Sequence, residues 1–235
     1  MNGLLYMDVS VFKDAALNEK GLTFLSAERK KQIEQLKNPA AARLSLGAGV
    51  LLFFALQRCG YENELEHIKK GRHGKPYLEG FNFQFSLSHS GSYALCAYAE
   101  QSIGADLQQI RGNLPNKTRK ILSKEEETFL SKQIAEERKV LFFRLWARKE
   151  SLIKWDGRGL RIPLEQLSFV KDEQLLDFLE FEGKRLYFQE YPNIIEGHAV
   201  CLCQEEKAFP PKAEEITPQM LKNFKNYEFS LKSFG

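Results

Sequence analysis

Trp146-Ala147-Arg148-Lys149-Glu150-Ser151-Leu152-Ile153-Lys154 follows the apolar run Val140-Leu141-Phe142-Phe143 and ends at the breakers Asp156-Gly157-Arg158-Gly159. At about 100° per residue this is a helix. Phe143, Ala147, Glu150 and Lys154 project from one side of it, with Trp146 and Ile153 flanking. An acid and a base thus share a face that otherwise reads as buried. As an i,i+4 Glu→Lys pair they also fit the ordinary solvent-exposed helix pair, which contributes little. Against that stands the apolar company: a carboxylate among Trp146, Ile153 and Trp155 is costly unless it meets a metal, a proton or a cation.

Upstream, Leu4 to Val9 alternates as a strand. Ser26 caps a charged helix beginning Ala27-Glu28-Arg29-Lys30, and a more apolar helix runs from about Pro39 to Cys59 with Pro39 in its first turn. Arg43 is the charged residue early in that helix, where its stem can cover apolar surface while its head reaches water. After the loop Gly71-Arg72-His73-Gly74-Lys75-Pro76, Phe83 to Ser88 is a period-two strand. The chain turns at His89-Ser90-Gly91, returns over Tyr93 to Ala99, and turns again at Glu100-Gln101 into Ile103-Gly104-Ala105-Asp106-Leu107-Gln108. These three segments are expected to form an antiparallel meander, with Asp106 opposite Leu95 and Gln108 opposite Tyr93. His89 and Asp106 then lie toward one end, and Asp106 shares a face with Gln108.

A helical region is expected from Asn116 to Trp155, broken near Ser123 and Ser131. A hairpin follows over Leu176–Glu182 and Arg185–Tyr191, then a strand over Gly197–Gln204. The polar tail from Phe209, with Pro210-Pro211 and Pro218, is expected to pack loosely as a short helix. Both halves read as a strand, helices including a long one, and a strand pair. Met7-Asp8 occupies the place of Ala105-Asp106, and Arg43 opens the first long helix as Arg144 and Glu150 populate the second. The expected fold is α+β: a pseudo-twofold pair of subdomains, each a small antiparallel sheet packed on a long helix, over 1–101 and 102–208 with a tail over 209–235. A cleft between them is the natural ligand site.

The chain has 235 residues, 43% hydrophobic and 28% charged, with a net charge of +3. That describes a soluble globular protein and gives no footing for a nucleic-acid binder. Local basic runs such as Arg29-Lys30-Lys31 and Lys69-Lys70-Gly71-Arg72 suit either a solvated surface or a phosphate-rich ligand. The start Met1-Asn2-Gly3-Leu4-Leu5-Tyr6 lacks a signal peptide's basic and apolar regions, and Leu44–Leu56 reads as too short to span a bilayer. Cys59, Cys96, Cys201 and Cys203 have neither zinc-ligand nor disulfide-framework spacing, and the last two share a packed strand face. A cytoplasmic protein is expected, which leaves the acceptor pattern Asn116-Lys117-Thr118 without meaning.

Asp106 on an edge strand and Glu150 on the helix covering that sheet converge with the oxygen donor Gln108. Two acids and a neutral oxygen suit a hard cation, Mg²⁺, which keeps water and substrate phosphate in its remaining positions. Lys154 then faces phosphate as a point charge, with Arg43, Lys75 and His89 as further anion contacts. Taken singly, His89 fits a turn residue, Lys75 a loop charge and Asp106 a turn acceptor. P-loop, dinucleotide-fingerprint and zinc-protease motifs are absent, and Ser88-His89 has no orienting partner for a nucleophilic triad.

Gly74-Lys75-Pro76, Ser88-His89-Ser90-Gly91, Ile103-Gly104-Ala105-Asp106 and the 146–154 stretch resemble, in order and approximate spacing, the Sfp-type 4′-phosphopantetheinyl transferases. Gly157-Arg158-Gly159-Leu160 followed by Pro163 extends the likeness, which covers roughly Ser26 to Phe169. The resemblance implies a monomer of two similar α+β halves that binds coenzyme A and Mg²⁺ between them. It implies transfer of the phosphopantetheine arm to a serine of an apo acyl or peptidyl carrier protein, with release of adenosine 3′,5′-bisphosphate. By position, Asp106 and Glu150 match the metal-binding acids and Lys154 the pyrophosphate lysine. Lys75, Pro76, Ser88 and His89 match coenzyme A contacts, Arg43 the 3′-phosphate arginine, and Lys31 the N-terminal basic contact. Glu150, directly or through a metal-bound water, would take the serine proton.

Two departures stand out. Ala105 replaces the frequent Val or Ile before the metal-strand Asp, and Gln108 replaces a frequent Glu, which lowers the charge offered to a metal. Two other classes compete with the transferase: a silent module binding coenzyme A or a carrier protein, which has no reason to keep Asp106, Glu150 and Lys154 together, and a metal-dependent nucleotide phosphodiesterase, which needs no protein-substrate groove.

Overall fold

The computed structural model describes residues 1–112, 121–159 and 161–224. The expected helix start at Asn116, Leu160 and the end of the tail lie outside the described residues. Strand β1 (Asn2–Asp8) leads into helices α1 (Ala15–Leu22), α2 (Ala27–Glu34) and α3 (Pro39–Arg58). The side chains of Asp14, Ser26 and Asn38 accept first-turn N–H groups that have no intrahelical partner. Residues 46–56 of α3 are all buried, and the helix packs on β1 and on β5, described next. Its 20 residues are long and apolar enough to cross a bilayer, contrary to the expectation of too short a stretch. In this fold they form the core helix of the first half.

The hairpin β2 (Ile68–Lys70) and β3 (Pro76–Leu78) precedes β4 (Gln84–Ser90), β5 (Tyr93–Ala99) and β6 (Ile103–Gln109). In the second half come α4 (Lys124–Ser131), α5 (Ala135–Asp156), the short hairpin β7 (Val170–Lys171) and β8 (Gln174–Leu175), then β9 (Phe178–Phe181), β10 (Lys184–Glu190) and β11 (His198–Gln204). The chain closes with β12 (Glu214–Glu215) and α6 (Pro218–Asn223). Two four-stranded sheets result, in the orders β12-β1-β5-β4 and β6-β11-β10-β9. Helix α5 covers β6 and β11 as α3 covers β1 and β5. Cys201 and Cys203 lie together in the core under α5, as the strand pattern indicated.

The expected three-strand meander does not form. Strand β5 pairs β1 on one edge, Leu95 opposite Tyr6, and β4 on the other, Leu95 opposite Ser88. With both edges occupied, β6 turns away at Glu100–Ser102 and becomes the edge of the second sheet, where Asp106 pairs Cys201 and Gln108 pairs Ala199. The two sheets meet through side chains instead. Ser86, Ser88 and Ser90 of β4 accept from the backbone N–H groups of Ala105 (2.9 Å), Leu107 (3.2 Å) and Gln109 (2.9 Å). Alternating hydroxyls on one strand thus satisfy alternating donors on the open edge of the other.

The tail forms the expected short helix, α6, but does not pack loosely. Strand β12 runs parallel to β1, with Ile216 N–H donating to Tyr6 O at 2.8 Å, and Glu214 pairs with Arg58 of α3. Ile216 and Leu221 are buried in the first-half core, and Phe224 packs its ring on Phe24, Phe53 and Phe54. Burial of these apolar side chains makes the tail a strap on the first sheet.

Candidate active site at the seam of the two sheets

Asp106 stands where the sheets meet and is only 1% exposed. One of its oxygens accepts from the Ser88 hydroxyl at 2.8 Å and the Lys154 ammonium at 2.6 Å; the other accepts from the Gln108 amide at 2.7 Å. The period-two expectation that Asp106 and Gln108 share a face therefore holds. Close approach of α5 to β6 makes this possible, and Gly104 permits it: a Cβ there would lie 1.9 Å from the Ser151 carbonyl oxygen.

Glu150 lies one turn before Lys154 but is not its ion-pair partner. Among the described residues its carboxylate makes no hydrogen bond or ion pair. Burial, reinforced by the Asp106 charge and opposed by Lys154, lifts its pKa to about 7. The exposed-pair reading of Glu150 and Lys154 fails for this reason: Asp106, brought in by β6, takes the ammonium. Two oxygen acids close enough for one to hold up the pKa of the other, with an amide beside them, form a donor set that suits a hard divalent cation. No group of three or more His, Cys, Asp or Glu with metal-site geometry occurs among the described residues, and a cation that keeps most of its water needs no more than two carboxylates.

Other candidates fall around this centre. An opening of about 200 Å³ lies between the halves, bounded by His73, Lys75 and Pro76 from one and Lys154, Gly157 and Gly159 from the other. The Lys75 ammonium donates to the carbonyls of Ile103 (3.3 Å) and Trp155 (3.0 Å), so it caps the end of α5 and ties the halves together. Desolvation there brings its pKa down to about 8. His89 follows Ser88 on β4; desolvation, then the nearby Lys154, holds its imidazole below the ordinary value. Ser88, proposed from sequence as a ligand contact, is a buried donor to Asp106. Arg43 is half-buried on α3 and Lys31 is exposed on α2, and neither side chain makes a hydrogen bond or ion pair among the described residues.

Arg29 was missed. Its guanidinium donates to Ser45 O at 3.0 Å, its Nε is buried without a partner, and desolvation lowers its pKa. It lines a cavity of about 210 Å³ with Leu25, Gln32, Lys69, Lys70 and Leu87, and its charge acts on His89. The signal was present in the helix phase. With Ser26 as the cap, Arg29 and Ile33 stand four apart on the inward face, while Lys31 points to water. A larger groove, about 700 Å³, lies elsewhere, between residues 140–148 of α5 and β10–β11, and includes none of Asp106, Gln108, Glu150 or Lys154.

The family model described as the 4′-phosphopantetheinyl transferase superfamily matches residues 102–203. The chain is 28% identical over 218 residues to 4′-phosphopantetheinyl transferase Sfp of Bacillus subtilis (strain 168), covering 91% of this chain and 94% of that protein. The chain belongs to the 4′-phosphopantetheinyl transferase superfamily.

Two further relatives widen the range of the superfamily. The 4′-phosphopantetheinyl transferase gsp of Aneurinibacillus migulanus is 25% identical over 185 residues, 77% of this chain and 78% of that protein. The human L-aminoadipate-semialdehyde dehydrogenase-phosphopantetheinyl transferase is 31% identical over 205 residues, 76% of this chain and 66% of that protein. The superfamily match begins at Ser102, just before β6, and contains Asp106, Gln108, Glu150 and Lys154.

Proposed function

We propose that this transferase moves the 4′-phosphopantetheine arm of coenzyme A to a serine of an apo acyl or peptidyl carrier protein, as a monomer in the cytoplasm without nucleic-acid or membrane partners. The observation that carries the reading is a half-buried Glu150, unpaired among the described residues and with a pKa near 7, beside a buried Asp106 that already holds the Lys154 ammonium. Residues 1–101 supply coenzyme A contacts and 102–208 the metal and catalytic groups, with 209–235 as the tail. Arg29, Arg43, Lys75, Pro76, Ser88 and His89 bound the nucleotide side, and Arg29 takes the place considered for Lys31 because its unpartnered Nε faces inward.

Asp106 and Glu150, with Gln108 beside them, would hold Mg²⁺. When bound, the ion neutralises charge on the pyrophosphate. Lys154 places a further positive charge on the same oxygens as the phosphoanhydride breaks. The carrier serine oxygen bonds to the phosphorus bearing the pantetheine arm, its proton passes to Glu150, and adenosine 3′,5′-bisphosphate leaves. An ionised carboxylate is a suitable acceptor for that proton. Orientation of the serine in line with the phosphorus supplies much of the remaining acceleration.

The test is incubation with coenzyme A, Mg²⁺ and several apo carriers, followed by mass measurement. A gain of one phosphopantetheine on a carrier is expected, and its loss in Glu150→Gln and Asp106→Ala proteins that stay folded. No gain on any carrier would overturn the reading; hydrolysis of coenzyme A without a carrier would favour a phosphodiesterase, and coenzyme A binding without turnover a silent module.

A further inference from the structure

Glu126 of α4 and Lys149 of α5 form an ion pair at 2.9 Å with both side chains 0% exposed. The Lys149 ammonium also donates to the carbonyls of Leu164 (2.8 Å) and Leu167 (2.6 Å), which uses all three of its protons. Glu126 accepts from the backbone N–H of Ser123 at 2.8 Å with one oxygen and from Phe169 N–H at 2.9 Å with the other. The ammonium lies 5.3 Å from the centre of the Phe169 ring. The network is closed and dry, and it joins the cap of α4, the middle of α5 and the 164–169 segment.

Such a pair is a poor way to gain stability. Removing two charges from water is costly, and apolar residues of similar volume often serve as well or better. What an apolar pair lacks is direction. Lys149 is bonded to fixed acceptors on one side of α5, while Ser151 presses its backbone against Gly104 of β6 on another. Glu150 lies between these two anchored residues, so neither the rotation nor the axial position of the helix at Glu150 is free. We infer that Glu126 and Lys149 are positioning residues, which hold α5 so that Glu150 and Lys154 face Asp106.

The inference rests on the proposed transferase reading for its kinetics, so its test includes a measurement that needs no turnover. The variant is E126Q/K149M in the full chain, near-isosteric and without a buried unpaired charge. Its kcat is expected to fall about 100-fold, the loss that follows a catalytic group displaced by about 1 Å. KM for coenzyme A and for the carrier should stay within about threefold, while the thermal midpoint is expected to fall, because the Leu164 and Leu167 carbonyls lose their donor. Mn²⁺ affinity, read by the electron spin resonance of the free ion, is expected to weaken about 10-fold, as when outer partners of metal ligands are removed. Wild-type Mn²⁺ affinity together with wild-type kcat would overturn the inference and leave the pair as packing. If wild type transfers nothing to any carrier, the transferase reading fails and Mn²⁺ affinity alone decides. Should the double variant not fold, Glu126→Asp keeps both charges but withdraws the carboxylate by one methylene. It is expected to lower kcat and Mn²⁺ affinity in the same sense, and no change in either would overturn the inference.

Discussion

At the level of single residues, Glu150 couples the chemistry of the site to the stability of the fold. Its carboxyl ionises near 4.5 in the unfolded chain and near 7 in the folded one. Between those values the folded protein holds the extra proton, so the stabilising contribution is complete below the lower value and is lost as the pH rises through the upper one. At about 1.4 kcal/mol per pKa unit, the loss is on the order of 3 kcal/mol. Glu150→Gln is therefore expected to be more stable than wild type in urea without divalent ions at about pH 8, with the gap closing toward about pH 5. A gap independent of pH would show that Glu150 does not titrate in this range. Asp106, Gln108, Glu150 and Lys154 were legible because each lies on a periodic element whose faces can be counted. The need for Gly104 was not, because it arises from a helix on another part of the chain, whereas the inward phase of Arg29 follows from the Ser26 cap and was open to reading.

At the level of elements, the long helices and their caps follow from local chemistry, and Ser26, Asn38 and Ser123 all cap helices. Pairing in the sheets does not. A turn at 100–101 suggested that β6 folds back on β5, but β1, far away in sequence, occupies that edge. Local sequence reports that a strand exists and which face is apolar; it does not report competitors for its edge. The tail was misread for a related reason: its few apolar residues, Ile216, Leu221 and Phe224, look sparse until they meet the aromatic cluster of α1–α3. Leu221, 0% exposed, therefore serves as an anchor. Leu221→Ala is expected to cost about 2–4 kcal/mol, a typical loss for a buried leucine, seen as a lower urea midpoint with unchanged slope. A cost under about 1 kcal/mol would mean that the strap contributes little.

Across the whole molecule, the two halves repeat one order: an opening strand, a long covering helix and an antiparallel pair, with the closing strand in the middle of each set of three. The site lies where the halves face each other, and there the join is a row of three serine hydroxyls. A hydroxyl turns about its Cβ–Oγ bond, so these links tolerate small sliding that a backbone ladder would resist. Deuterium exchange can read this amide by amide. Ala105, Leu107 and Gln109 are expected to exchange faster than Gly104, Asp106 and Gln108, whose N–H groups face β11. A ligand that bridges the halves should slow the first set and leave the second nearly unchanged, whereas equal protection of both sets without ligand would mean that the seam opens only on global unfolding. Along one strand, alternate protons would then keep two clocks, one set by the opening of the cleft and one by the unfolding of the second sheet.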